Sequence, residues 1–334
     1  LLVLDDYHVI SDGEIHDAVS FLLEHTPPSL HMVMTTRSDP PFPLARLRVR
    51  GELVELRAAD LRFSSTEIAS FFNELMRLDL DNDQLRLLAE KTEGWAAGLQ
   101  MAAISLRGRE DVASFLADFS GADRYVLDYL LEEVLGRLDI SFQEALMALS
   151  VVDRFNARLF EALVDGGSGA RLLEDLERNN LFLIPLDNHR EWYRFHHLFA
   201  DLLHHRLTSL YPARLADLHR RAADWYARED MPEIALTHYR EANDREGFIR
   251  VIDQHWRRLI ANSLVEKLYE DVRTLTPSLR TPRLAIVLAW GMLHVNLTEG
   301  VAELVASALE GLEGDQGDDV ADARGHIEVI LALT

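Results

Sequence analysis

Four apolar residues in a row, Leu1-Leu2-Val3-Leu4, run into two acids, Asp5-Asp6. That pattern predicts a strand buried on both faces, as in a parallel sheet. Leu30-His31-Met32-Val33-Met34-Thr35-Thr36-Arg37 repeats it, apolar first and polar at its C-terminal end. Between the two, Ile15, Ala18, Val19, Leu22 and Leu23 fall at helical spacing over 15–25. Strand, helix, strand is a βαβ unit with a right-handed crossover. Asp5, Asp6 and Arg37 then share the sheet edge at which open α/β sheets bind ligands. An acid pair there suits Mg²⁺ and an attacking water, and the arginine suits a phosphate. The plain alternative is a turn-capping aspartate and a surface ion pair. Leu53-Val54-Glu55-Leu56 reads as a further strand.

The pattern then turns helical. Ser64 and Glu67 form a capping box before a helix over 66–76, and Asp81 and Gln84 repeat it before a helix ending near Lys91. Gly94 suits the left-handed position after that helix, and 95–106 reads as the next one. Helical patterns cover 124–138, 141–150 and 170–179. An alternating hairpin follows, Leu181 to Leu186 and Glu191 to Phe195 around the turn Asp187-Asn188-His189-Arg190. Helices followed by such a ribbon predict a winged helix. Its recognition helix carries Glu174, Asp175 and Glu177 beside Arg171 and Arg178, too acidic to face phosphates, so the module reads as structural.

From Tyr211 onward only helices are expected, over 214–228, 233–243, 244–262, 264–275, 283–297 and 301–312. Trp225, Trp256 and Trp290 are 31 and 34 residues apart. With Ala222, Ala235 and Tyr239, they suggest a degenerate tetratricopeptide-like arm, the plain alternative being core aromatics. His197 and His204, seven apart on one helix face, read as packing or sensing residues rather than a metal site.

Composition narrows the partners. The 334 residues carry 34 Lys and Arg against 56 Asp and Glu, a net charge of −22, so the chain by itself is a poor nucleic-acid binder. There is no cysteine, which excludes disulfides, thiolate zinc sites and cysteine nucleophiles. The longest apolar run, 284–293, is half a membrane span, and no leader pattern opens the chain, so a cytoplasmic protein with no membrane partner is expected. No G-x-x-x-x-G-K-[ST] occurs; Gly166-Gly167-Ser168-Gly169 has no strand before it and reads as a loop. The phosphate cradle is expected upstream of residue 1, and the apolar ending at 331–334 suggests that the arm too continues.

Four stretches, taken together, resemble a known family: Leu1-Leu2-Val3-Leu4-Asp5-Asp6-Tyr7-His8, Thr35-Thr36-Arg37, Thr92-Glu93-Gly94-Trp95-Ala96-Ala97-Gly98-Leu99-Gln100, and Tyr193-Arg194-Phe195-His196-His197-Leu198-Phe199. In order and spacing they are similar to the large LuxR-type transcriptional regulators of the MalT class, among the STAND NTPases.

The resemblance implies a mainly α chain with an N-terminal α/β remnant. Residues 1–60 would be the C-terminal part of a P-loop NTPase core, 61–110 a helical lid, 111–208 a winged-helix switch and 209–334 the start of a TPR-like sensor arm. It implies Asp5 as the Walker B magnesium acid, Asp6 as its catalytic neighbour and Arg37 as the sensor arginine. Gly94 and Trp95 would line the adenine pocket, with Ala96 where many relatives carry proline. His196 would contact the β-phosphate of ADP, with His197 as the alternative. The function implied is that of a central fragment of an ATP/ADP-switched transcriptional regulator. An inducer or regulatory protein would bind the arm, and the activated form would self-associate. DNA would bind through a helix-turn-helix outside this chain. ATP or ADP and Mg²⁺ would bind the full-length parent, while this chain, lacking the Walker A loop, is expected to bind none and to be inactive. The alternative is a stand-alone helical scaffold with no nucleotide.

Overall fold

The computed structural model describes all of the chain except residues 26, 28, 108, 110, 179–180, 263, 276–279 and 314–315. It divides into two compact units, Leu1–Tyr211 and Pro212–Thr334.

The first unit opens with the expected βαβ element. β1 (Leu2–Leu4) and β2 (Met32–Met34) pair in parallel, in register Leu2↔Met32, Val3↔Val33 and Leu4↔Met34. The crossover helix Gly13–Glu24 starts on Asp12, whose side chain accepts from the Glu14 N–H. The strands are not buried on both faces: Val3 is 55% and Val33 47% exposed. Two strands alone lack the neighbours that cover the second face of a parallel sheet. Residues 53–56 form no strand. Glu55 is tied to Arg48 and Arg57 at 2.5–2.9 Å, and Val54 and Leu56 point to solvent, so the segment is an ion-paired loop.

Both capping boxes form. After Ser64 the helix Ser65–Ala69 widens into a π-type turn, Ser70–Leu75, rather than continuing regularly to 76. Helix Asn82–Thr92 follows Asp81, and helix Ala96–Leu106 follows after two residues in the left-handed region, Glu93 and Gly94.

The winged helix comprises helices Ile140–Leu149, Ala157–Leu163 and Gly169–Arg178 and the antiparallel pair β3 (Leu183–Pro185) and β4 (Tyr193–Phe195). Phe155 adds a bridge to Tyr193. Asp187 holds the hairpin turn by accepting from the N–H groups of His189, Glu191 and Trp192. Gly169 follows from packing, because a Cβ there would meet the Ala157 carbonyl oxygen at 2.1 Å. The sequence pattern predicts one helix over 124–138; it divides into Arg124–Glu133 and a 3-10 turn, Leu135–Arg137. Helix His197–Leu210 closes the unit.

The second unit is helical throughout its described residues: Pro212–Arg228, Pro232–Glu241, Arg245–Ala261, Val265–Arg273, Pro282–His294, Val301–Gly311 and Asp318–Leu333. The last helix has no counterpart in the sequence expectations. Sequential helices pack in pairs through small buried residues, Ala222, Ala223 and Ala235. Gly247 sits against the Tyr239 ring, where a Cβ would come within 2.3 Å. Trp256 and Trp290 share one partner, His326, whose Nδ1 accepts from the Trp290 indole N–H at 3.1 Å. Trp225 instead packs on Tyr226, so the three tryptophans are not equivalent repeat positions.

Candidate functional site

The acid pair sits where β1 ends. The Thr35 hydroxyl donates a short bond to Asp5 Oδ1 and accepts from the Asp6 N–H at 3.0 Å, so the end of β2 fixes the tip of β1. Asp6 adopts a left-handed conformation, φ 50°, leaving its side chain exposed, 3.8 Å from His8 Nδ1. Tyr7 is buried beneath it and bonds His16 at 2.8 Å.

Arg37 leaves the same edge and meets helix Arg124–Glu133. One guanidinium nitrogen donates to the Glu133 carboxylate at 2.7 Å and another to its carbonyl at 3.0 Å. Cations are favoured at a helix C-terminus, where the last carbonyls lack partners.

Gly94 needs its glycine: φ is +72°, and a Cβ would lie 2.5 Å from the Phe63 carbonyl oxygen. Phe63 N–H donates to the Gly94 carbonyl at 2.8 Å. Trp95 caps the following helix and packs on Tyr129, Phe182 and His196, with ring centroids 5.1–5.8 Å away.

His196 is the N-cap residue of helix His197–Leu210. It is only 4% exposed, and its Nε2 lies 2.9 Å from the Thr92 carbonyl oxygen. Burial pushes its pKa below the ordinary value, against the pull of neighbouring Glu93. His197 is exposed; its Nδ1 lies 3.2 Å from the Glu90 carbonyl oxygen.

These contacts bring together segments 92–95 and 193–197, and at their centre stand two residues that the sequence reading does not single out. Arg194 donates to both carboxylate oxygens of Glu93, at 2.7 and 2.9 Å. Glu93 also accepts the His197 N–H at 3.1 Å, placing its charge at a helix N-terminus. Arg62 approaches at 3.4 Å. Burial raises the Glu93 carboxyl, but Arg194, His196 and the His197 N–H outweigh it and hold the pKa down at about 2. The available signal was a lone arginine inside an apolar aromatic arm, Trp192-Tyr193-Arg194-Phe195, which needs an acid to face. The structure does not bring Asp5 or Asp6 into hydrogen-bond contact with Gly94, Trp95 or His196 among the described residues. No group of three or more His, Asp or Glu among them is arranged to hold a metal, and no helix among them is long and apolar enough to cross a membrane.

Comparison with known proteins places likenesses along the chain. Residues 131–215 match the family described as MalT winged helix domain. The chain is 32% identical over 315 residues to the HTH-type transcriptional regulator MalT of Vibrio campbellii, covering 92% of this chain and 35% of that protein. It is 35% identical over 337 residues to the serine/threonine-protein kinase PknK of Mycobacterium tuberculosis, covering 99% of this chain and 30% of that one. The chain thus spans about a third of the length of these relatives. A STAND protein with a tetratricopeptide repeat sensor from Pyrococcus horikoshii aligns over 99% of this chain and 48% of its own, at 15% identity and a TM-score of 0.44.

Proposed function

We propose that this chain, a member of the MalT family of regulators by its winged helix domain and its likeness to MalT, is the nucleotide-responsive switch and sensor portion of a longer protein. The observation that carries this reading is the interlock of segment 92–95 with segment 193–197 through Glu93–Arg194 and Thr92–His196. Such a contact is a two-state element: it holds when lid and winged helix are closed and is lost when they part. A ligand that prefers one state shifts the balance by its difference in affinity.

In this reading ADP favours the closed state and ATP the open one. Asp5 holds Mg²⁺, Asp6 orients the attacking water, and Arg37 senses the terminal phosphate. Gly94 and Trp95 line the adenine site, and His196 contacts the β-phosphate. The helical arm takes an inducer or a regulatory protein, and the open form self-associates in the cytoplasm. The remaining nucleotide contacts and the output domain lie outside these residues. Likeness to both MalT and PknK supports that division, because one is named a transcriptional regulator and the other a kinase. What they share with this chain is then the switch rather than the output, and DNA binding belongs to a separate domain.

Calorimetric titration of ADP into the full-length protein tests the reading. His196→Ala should weaken ADP binding by a factor of roughly 5–150, the usual range of a coupling energy, and raise inducer-independent activity. Unchanged affinity in a folded variant would leave His196 a packing residue, and no ADP binding by the unaltered protein would favour a nucleotide-free scaffold.

A further inference from the structure

The two ring nitrogens of His196 face different surroundings. A carbonyl oxygen can only accept, so Nε2, 2.9 Å from the Thr92 carbonyl, carries a proton. Nδ1 is buried and has no hydrogen-bond partner among the described residues. The rings of Trp95 and Phe182 stand edge-on, at 5.8 and 5.9 Å between centroids. In a neutral imidazole with Nε2 protonated, Nδ1 holds a lone pair, and a lone pair repels a phosphate oxygen. Only a ring with a second proton can donate from Nδ1. That atom belongs to the N-cap of a 14-residue helix, an end that favours anions.

We propose that His196 takes up one proton when the terminal phosphate of a nucleoside diphosphate binds, donating from Nδ1 while Nε2 stays on Thr92. The inference rests on the reading of His196 as a phosphate contact. The other route, in which Nε2 turns from Thr92 to the phosphate, breaks a buried bond between lid and winged helix, the reverse of what a closing ligand needs. Without the phosphate, burial keeps the ring neutral above its ordinary pKa of 6.5. Glu93, just after helix Asn82–Thr92, favours the second proton; Arg62, before helix Ser65–Ala69, and His197, on its own helix, oppose it. Arg194 on β4 is spent on Glu93. The phosphate supplies the extra negative charge. The proton comes from solvent, forms one N–H bond at Nδ1 and returns to solvent on release. Affinity should therefore fall about tenfold per pH unit between the free and bound pKa values of the ring.

The test is ADP titration of the full-length protein near pH 7.5 in buffers of different ionisation enthalpy. The unaltered protein should take up about one proton more per ADP than His196→Gln, which should bind more weakly. Equal proton uptake with weaker binding overturns the coupling and leaves the phosphate contact standing. Equal affinity overturns the contact and the coupling with it. Ring-nitrogen NMR of the unaltered protein gives an answer that needs no variant. Nδ1 should move to the protonated range on adding ADP, and a lone-pair shift in the complex would overturn the proposal.

Discussion

Glu93 and Arg194, 101 residues apart, meet fork to fork at 2.7 and 2.9 Å, and the Glu93 side chain is only 8% exposed. One end of that bridge lies just after helix Asn82–Thr92 and the other in the wing of the winged helix. Neither segment can leave the other without separating the charges.

Arg194→Ala should therefore destabilise the first unit. Removing one partner of a buried pair leaves the other charge uncompensated, a cost of about 3–5 kcal/mol. Arg62 and the His197 N–H remain on Glu93, so about 2–3 kcal/mol is expected. Chemical denaturation of both proteins measures it, and a loss under about 0.5 kcal/mol would mark the bridge as incidental.

The same pair sets an acid limit. The Glu93 pKa is lowered from 4.5 to about 2, so its contribution is present above pH 4.5 and lost as pH falls toward 2. Denaturation midpoints of the first unit should fall across that window, and Arg194→Ala should flatten the slope. An unchanged slope in the variant would assign the acid sensitivity to other carboxylates.

The helical arm should weaken earlier. His219 and His238 are buried with their Nδ1 atoms 2.9 Å apart, which requires one to donate and the other to accept. Burial, and then His219, push the His238 pKa down to about 4 from 6.5. A lowered histidine pKa means stability held above pH 6.5 and lost between 6.5 and 4. Amide hydrogen exchange of residues 212–334 within the intact chain should show this loss, and His238→Leu should remove most of the pH dependence.

Gly94→Ala tests the turn that aims Trp95. With φ at +72° and the Phe63 carbonyl 2.5 Å from the new Cβ, backbone must shift. A penalty of about 1–3 kcal/mol is expected in a thermal melt, well above the near-neutral effect of the same change at exposed Gly13.

Much of this was legible in the chain. Leu1 to Asp6 and Leu30 to Arg37 have the apolar-then-polar form of a parallel pair, and Ser64/Glu67 and Asp81/Gln84 announce their helices because cap chemistry is local. Residues 53–56 misled because three of the four are apolar, as in a strand, whereas three ion pairs to Glu55 and Arg57 fix them as a loop. Glu93 and Arg194 stayed hidden for a different reason. Their pairing depends on how segment 92–95 and the wing fold against one another, and no local periodicity encodes a contact 101 residues long.

In the proposed switch, the junction of segments 92–95 and 193–197 opens and closes with nucleotide. The sequence has no cysteine, so spin labels can be placed at Arg86→Cys and His205→Cys, both exposed, on helices Asn82–Thr92 and His197–Leu210. Pulsed electron–electron distance measurement on the labelled full-length protein reads the junction directly. One narrow distance is predicted with ADP, a longer or broader one with ATP and inducer, and the longer one with either nucleotide once Arg194→Ala is added. A single distance, unchanged by nucleotide, inducer or Arg194→Ala, would contradict the account.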